Sequence, residues 1–172
     1  KIIMKKAIAI AALFLFQFVA AQDITKTLGD FTIVKAFDQI DVLMVKGNEN
    51  KIVIKGQRKD DVEVVTKNNE VKIRMKFSKL LKGDDVSVTL YYKGNIDEIH
   101  ASEGARVASQ DVFKATAFAT SAKEGAEVKL NLDVKKLNSK AHSGGILNID
   151  GKADNHDVSI TSGGILKGKS FT

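Results

Sequence analysis

The chain has 172 residues, 44% hydrophobic and 28% charged, with 27 Lys+Arg against 21 Asp+Glu. That balance belongs to a globular chain, and its charges are interspersed instead of gathered into the basic block that nucleic acid requires. There is no Cys, so a disulfide framework, a thiolate metal site and a lipid-modified cysteine are all excluded; Pro and Trp are absent too.

The first 21 residues read as a secretory signal peptide. Lys5 and Lys6 form a positive start, Ala7 to Val19 an apolar run of 13 residues, and Val19-Ala20-Ala21 places small residues before a cut that leaves Gln22 first. Thirteen apolar residues fall short of the ~20 a membrane span needs, so no span is expected after cleavage. Lys1-Ile2-Ile3 precede Met4, the expected translation start. The cleaved chain keeps 24 Lys+Arg and 21 Asp+Glu, a net +3 that points to no nucleic-acid partner.

Gln22 to Gly29 reads as a lead-in, and residues 31–92 as strand after strand. Ile40, Val42 and Met44 alternate with polar residues, Gly47-Asn48-Glu49-Asn50 turns into Ile52 and Ile54, and Asn68-Asn69 makes a tight turn into Val71, Ile73 and Met75. Period-2 alternation broken by Asn and Gly is the signature of hairpins. Phe77 to Leu81 reads as a short helical or irregular turn, after which Val86, Val88 and Leu90 resume a strand.

From Ile99 onward the chain returns four times to a pair of small residues: Gly104-Ala105, Gly125-Ala126, Gly144-Gly145 and Gly163-Gly164, at steps of 21, 19 and 19. An aliphatic residue follows each pair at the same offset (Val107, Val128, Leu147, Leu166), and Ala101, Ala122, Ala141 or Ile160 precedes it. A constant period near 20 residues is a mark of stacked repeats, and at ~3.3 Å per residue it fits a coil of three ~20 Å sides. The expected fold is therefore all-β: a right-handed β-helix or β-solenoid over 96–172, with the hairpin region 31–92 continuous with it in one domain, 22–172. Leu166 to Thr172 starts another return without a capping element. That edge is expected to pair with another copy or a partner, or to be protected by Lys167 and Lys169.

Val86-Ser87-Val88-Thr89-Leu90, Ile96, Ile99, the run Ala101 to Val107 and the recurring Ser-Gly-Gly with a following aliphatic together resemble the head GIN domain family of auto-transporter adhesins. The resemblance covers residues 31 to 172. It implies a β-helix-like fold and export to the periplasm, the outer surface or the medium of a Gram-negative-type bacterium, and it offers no catalytic residues to carry over. Lys93-Gly94-Asn95 departs from the family's habit of a Pro at this place, and Lys123-Glu124 from the Ser or small residues of the other returns.

No catalytic set, metal site or cofactor is expected. His142 and His156 lie among Asp150, Asp154 and Asp157, but at no zinc or EF-hand spacing, and both read as turn residues. Asp60-Asp61 and Asp84-Asp85 are sequence neighbours, which a strand would point to opposite faces. Ser102, Ser143 and Ser162 sit in no nucleophile elbow and read as corner hydrogen-bonders. The surface feature that carries a binding expectation is Lys72, Arg74 and Lys76, alternate positions of one strand with Lys79 and Lys82 close behind. If Val71, Ile73 and Met75 face inward, the three cations share an outer face suited to an anionic glycan, lipid headgroup or other cell-surface component. The expected function is thus an exported, non-enzymatic module that binds or builds at the cell surface. The alternative is an exported carbohydrate-active enzyme on a β-helix scaffold.

Overall fold

The computed structural model describes residues 22–77, 83 and 85–172. They form twelve strands: β1 (Ile24–Thr27), β2 (Ile33–Ala36), β3 (Asp41–Lys46), β4 (Lys51–Gly56), β5 (Val62–Lys67), β6 (Glu70–Met75), β7 (Val86–Tyr92), β8 (Glu98–Ala101), β9 (Arg106–Lys123), β10 (Glu127–His142), β11 (Ile146–Ile160) and β12 (Ile165–Lys167). A 3-10 turn at Lys59–Asp61 joins β4 to β5. The segment 1–21 expected to be a signal, most of the turn expected at Phe77 to Leu81, and Lys79, Lys82 and Asp84 lie outside the described residues.

All twelve strands belong to one mixed sheet with the path β1-β4-β7-β3-β9-β8-β2-β6-β5, extended from β9 by β10, β11 and β12. The pivot is β9. Its start pairs with β3, Arg106 opposite Asp41. Its end pairs with β8, Ala122 opposite Ala101. Most of its other edge carries β10. The sheet therefore curls about the middle of β9 into a half-barrel, and apolar side chains from both limbs meet inside it in a single core.

This corrects the expected right-handed β-helix or solenoid. Strands β1, β4 and β5 join antiparallel to their neighbours while β2, β3 and β8 to β12 join parallel. The returns are not three short sides with corners either: β9, β10 and β11 run 18, 16 and 15 residues without a break. The physical reason is that a constant period sets the register between returns but says nothing about how the chain bends between them. The hairpin expected at Gly47 to Asn50 is corrected too, because β7 lies between β3 and β4 and pairs with both. The hairpin at Asn68-Asn69 does form. Both residues have positive φ, 52° and 61°, the type I′ geometry that matches strand twist.

Register stacks like on like. Val42, Val107, Val128, Leu147 and Leu166 form one inward column. Ala36, Ala101, Ala122, Ala141 and Ile160 form another. The turns stack as well. Glu103-Gly104, Glu124-Gly125, Ser143-Gly144 and Ser162-Gly163 all have positive φ at both residues, and so does Asp38-Gln39 between β2 and β3. Their backbones form a ladder: Gln39 N–H to Glu103 O (2.9 Å), Gly104 to Glu124 (3.0 Å), Gly125 to Ser143 and Gly144 to Ser162 (both 3.1 Å). Asp38-Gln39 is thus a fifth turn of the stack. It escapes a search for glycines because Asp, like Asn, tolerates the left-handed region.

Candidate functional site

The outer face of β6, β2, β8, β9 and β10 concentrates the polar chemistry. Residues alternate along each strand, so every second side chain leaves the core. On β6, Val71, Ile73 and Met75 are buried, which sends Lys72 and Arg74 outward, and Lys76, the residue after the strand, is exposed as well. Each of the three already has a partner. Lys72 Nζ lies 3.9 Å from Glu70 and over the Phe37 ring at 6.0 Å. Arg74 Nε donates to Glu63 at 2.6 Å, and Lys76 Nζ to the Asp60 carbonyl at 2.6 Å.

Parallel register carries that face across the neighbouring strands. Lys72, Lys35, His100, Ser121 and Lys140 stand in one row. Glu70, Ile33, Glu98, Ala119, Asn138 and Asp157 stand in the next. Lys35 Nζ meets Glu70 at 2.6 Å. The His100 ring is held at both nitrogens, Nδ1 against Ser121 Oγ at 2.7 Å and Nε2 against Glu98 at 2.9 Å. Sequence reasoning singled out β6 alone and missed this continuation. The signal was present in the even spacing of Lys35, His100, Ser121 and Lys140 within their strands, but reading it needed the pairing order.

Between the rows the surface sinks. Three successive outward residues of β9, Ala117, Ala119 and Ser121, are all small and stand beside Lys136 and Asn138 of β10 and Glu98 and His100 of β8. One depression of about 520 Å³ is lined by Asn95, Asp97, Glu98, Lys114, Ala117 and Asn138, among others. A second, about 300 Å³, is lined by Lys35, Phe37, His100, Ser121 and Lys123. The Glu98–His100 contact stands between them.

A third hollow, about 360 Å³, opens at the corner where β3 leaves β9, beside Lys46, Tyr92, Asp111 and Phe113. Here Asp111 Oδ2 accepts the Lys46 N–H at 2.6 Å and the Tyr92 hydroxyl at 3.1 Å. Burial first, and the Asp111 charge second, push the Tyr92 hydroxyl well above its usual range, so it stays protonated and donates. This group closes a backbone corner.

The remaining candidates do not assemble a reaction centre. His156 lies within β11 and not in a polar turn; its Nε2 meets Ser139 Oγ at 2.8 Å, and its ring stands edge-on to Phe171. Burial lowers its pKa, yet Ser139 is 1% exposed, so its hydroxyl has no approach for a substrate. His142 ends β10 and reaches Ser143 Oγ at 3.3 Å. Among the described residues no three His, Asp or Glu side chains are placed to hold a metal ion. Three carboxylates do meet at the turn stack. A hydrogen bond to Asp38, then burial, then the Asp38 and Glu124 charges raise the Glu103 pKa against an opposing Lys123. Asp38 is 6% exposed and its Oδ2 accepts the Met75 N–H at 2.9 Å, so the cluster presents no open pair of carboxyls to the two sides of a glycosidic bond.

The fold and this face define an all-β domain that offers a broad, registered polar surface. The chain belongs to the family described as "Putative auto-transporter adhesin, head GIN domain", whose model matches residues 30–172, in agreement with the resemblance drawn from its motifs. Three solved structures share the fold. A "putative adhesin" from Parabacteroides merdae aligns at TM-score 0.70 and 17% identity over 84% of this chain; the chain spans 62% of that protein's length. One from Bacteroides fragilis aligns at TM-score 0.63 and 12% identity over 87% of this chain and 98% of its own. One from Parabacteroides distasonis aligns at TM-score 0.59 and 14% identity over 87% and 76%. No curated protein matches the sequence. Among the described residues no helix is long and apolar enough to cross a membrane.

Proposed function

We propose that the chain is an exported, non-enzymatic binding module of the adhesion type, which acts in the periplasm or at the surface of a Gram-negative-type bacterium. The observation that carries this reading is the outer face itself: five strands present polar side chains in register. Family membership over residues 30–172 supports it. The ligand class that suits the face is an anionic glycan or another acidic cell-surface component. Lys72, Arg74 and Lys76 supply cations at one margin, and Lys35, Lys123 and Lys140 continue them. Such contacts are individually weak and gain strength by repetition along a polymer.

A glycan array and a cell-adhesion assay with residues 22–172 test the reading. Binding to acidic glycans that weakens with salt is expected, because exposed charges are screened within ~10 Å at 0.1 M ionic strength. The triple variant Lys72→Ser/Arg74→Ser/Lys76→Ser should bind less. Silence in both assays contradicts the module reading.

A second contact is favoured by one observation. Val158, Ile160 and Ile165 stand 47%, 48% and 42% exposed along β11 and β12. Apolar residues on an edge suit pairing with another copy of the chain. Light scattering should then show assembly that grows with concentration, and a monomer at all concentrations removes this contact from the account.

A further inference from the structure

The outward side of β9 makes a poor choice for sheet stability. Ala is a weak strand former, and an outward strand position ordinarily favours a β-branched, aromatic or long side chain. Yet Ala117, Ala119 and Ser121 occupy three successive outward positions there. Ala117 and Ala119 line the first depression and Ser121 and Lys123 the second, so the two follow one another along β9 as a trough crossed by the Glu98–His100 contact. From Ala117 to Ser121 the floor is about 13 Å long.

The trough's walls are polar and of mixed sign. Asp97, Glu98 and His100 stand on one side and Lys136 and Asn138 on the other, with Lys114 at one end and Lys35 and Lys123 at the other. The carboxylates and amides suit hydroxyl groups, as donors' and acceptors' partners in turn. Lys35, Lys114, Lys123 and Lys136 each pair with a carboxylate of the domain (Glu70, Asp133, Glu124 and Asp157), and such part-exposed pairs are weak enough for carboxylates carried at intervals on a polymer to exchange into them. The Phe37 ring beside Lys35 adds an apolar edge.

The floor also excludes an extended peptide. Its backbone groups are already spent in the ladders to β8 and β10, and β-augmentation needs a free sheet edge.

We propose that this trough binds one extended strand of an acidic polysaccharide, a chain of uronic-acid-type sugars lying along β9. The inference rests on the binding-module reading and locates its site. The strand's hydroxyls meet Asp97, Glu98 and Asn138, and its carboxylates meet the lysines at the two ends and on the β10 wall. The β6 cations lie one margin away and contribute less.

The experiment is calorimetric titration of residues 22–172 with oligogalacturonates of two, four, six and eight sugars, and with a neutral oligoglucan of six. Affinity should rise with length until the trough is filled, then level off, and the neutral chain should bind more weakly. Ala119→Phe, which fills the floor, should weaken the longer oligomers by about tenfold or more, equivalent to about 1.4 kcal/mol. Asn138→Ala, which removes a wall group and leaves the floor unchanged, should weaken them less but measurably, and it serves if the Phe variant does not fold. The β6 triple variant should lose less than Ala119→Phe.

Uronate binding that ignores length, or that survives both trough variants, overturns the site. If no uronate binds while the array finds another ligand, the trough proposal fails and the module reading stands. If uronates, array and cells are all silent, both fail.

Discussion

At the scale of single residues, Thr120 carries a clear liability. It is 1% exposed in the inward column between Ile99 and Ser139, and its Oγ1 has no hydrogen-bond partner among the described residues. Burying an unpaired hydroxyl costs about 1–3 kcal/mol, so Thr120→Val should raise stability to urea by about 1 kcal/mol or more. A loss would show that the hydroxyl is in fact satisfied. Glycine matters most where backbones approach. A Cβ on Gly145 would stand 2.0 Å from the Ala122 carbonyl oxygen, whereas one on Gly94 would meet nothing within 4 Å. Gly145→Ala should cost about 1–3 kcal/mol, the range of forced overpacking, and Gly94→Ala close to nothing; equal effects would refute the close stacking.

Glu103 gives the pH dependence a sign. Its folded pKa is raised above the ordinary carboxylate value by the Asp38 hydrogen bond, burial and like charge. The folded state therefore holds this proton more tightly than the unfolded one. The stability so gained is complete below the ordinary carboxylate value and is lost as pH climbs through the raised one. Glu103→Gln should flatten this part of the Tm-against-pH curve and raise Tm at pH 7. A curve of unchanged shape would contradict the assignment.

At the scale of elements, β9 decides the molecule, and its bend depends on Asp111. Beyond Ser109 the chain leaves β3, and the Lys46 N–H that loses its sheet partner donates to Asp111. Asp111→Ala strands that donor and the buried Tyr92 hydroxyl, which should cost about 2–3 kcal/mol. Tyr92→Phe in the same chain should recover part of the loss, a coupling that a double-mutant cycle reads directly.

What the sequence makes legible divides along the same line. Alternation placed Val71, Ile73 and Met75 inside and Lys72, Arg74 and Lys76 outside, because a strand's period of two is a local property. Asn68-Asn69 announced its own turn for the same reason. The insertion of β7 between β3 and β4 was illegible, since nothing within the segment 40–56 records which distant strand will separate its halves. The curl at Asp111 was equally hidden, because its cause is a hydrogen bond between residues 65 apart in sequence. As for the site, the β6 cations were visible as a local pattern. The trough was not, because it arises from the smallness of one strand relative to two neighbours chosen by the fold.

At the scale of the whole molecule, β9 is the axis of the structure and, in the proposal, of recognition. The inward residues of this strand hold the two limbs of the curled sheet together, and its outward residues leave the space a ligand would fill. The curl itself brings β6, β2, β8, β9 and β10 onto one continuous outer face, so surface area, not a closed pocket, is what the fold provides. The most direct measurement is a methyl NMR titration of alanine-labelled residues 22–172 with an octauronate. The account predicts that the Ala117 and Ala119 methyls shift in a saturable manner while the inward Ala101, Ala122 and Ala141 barely move. Saturable binding with both outward methyls unmoved, or shifts gathered elsewhere on the sheet, would contradict it.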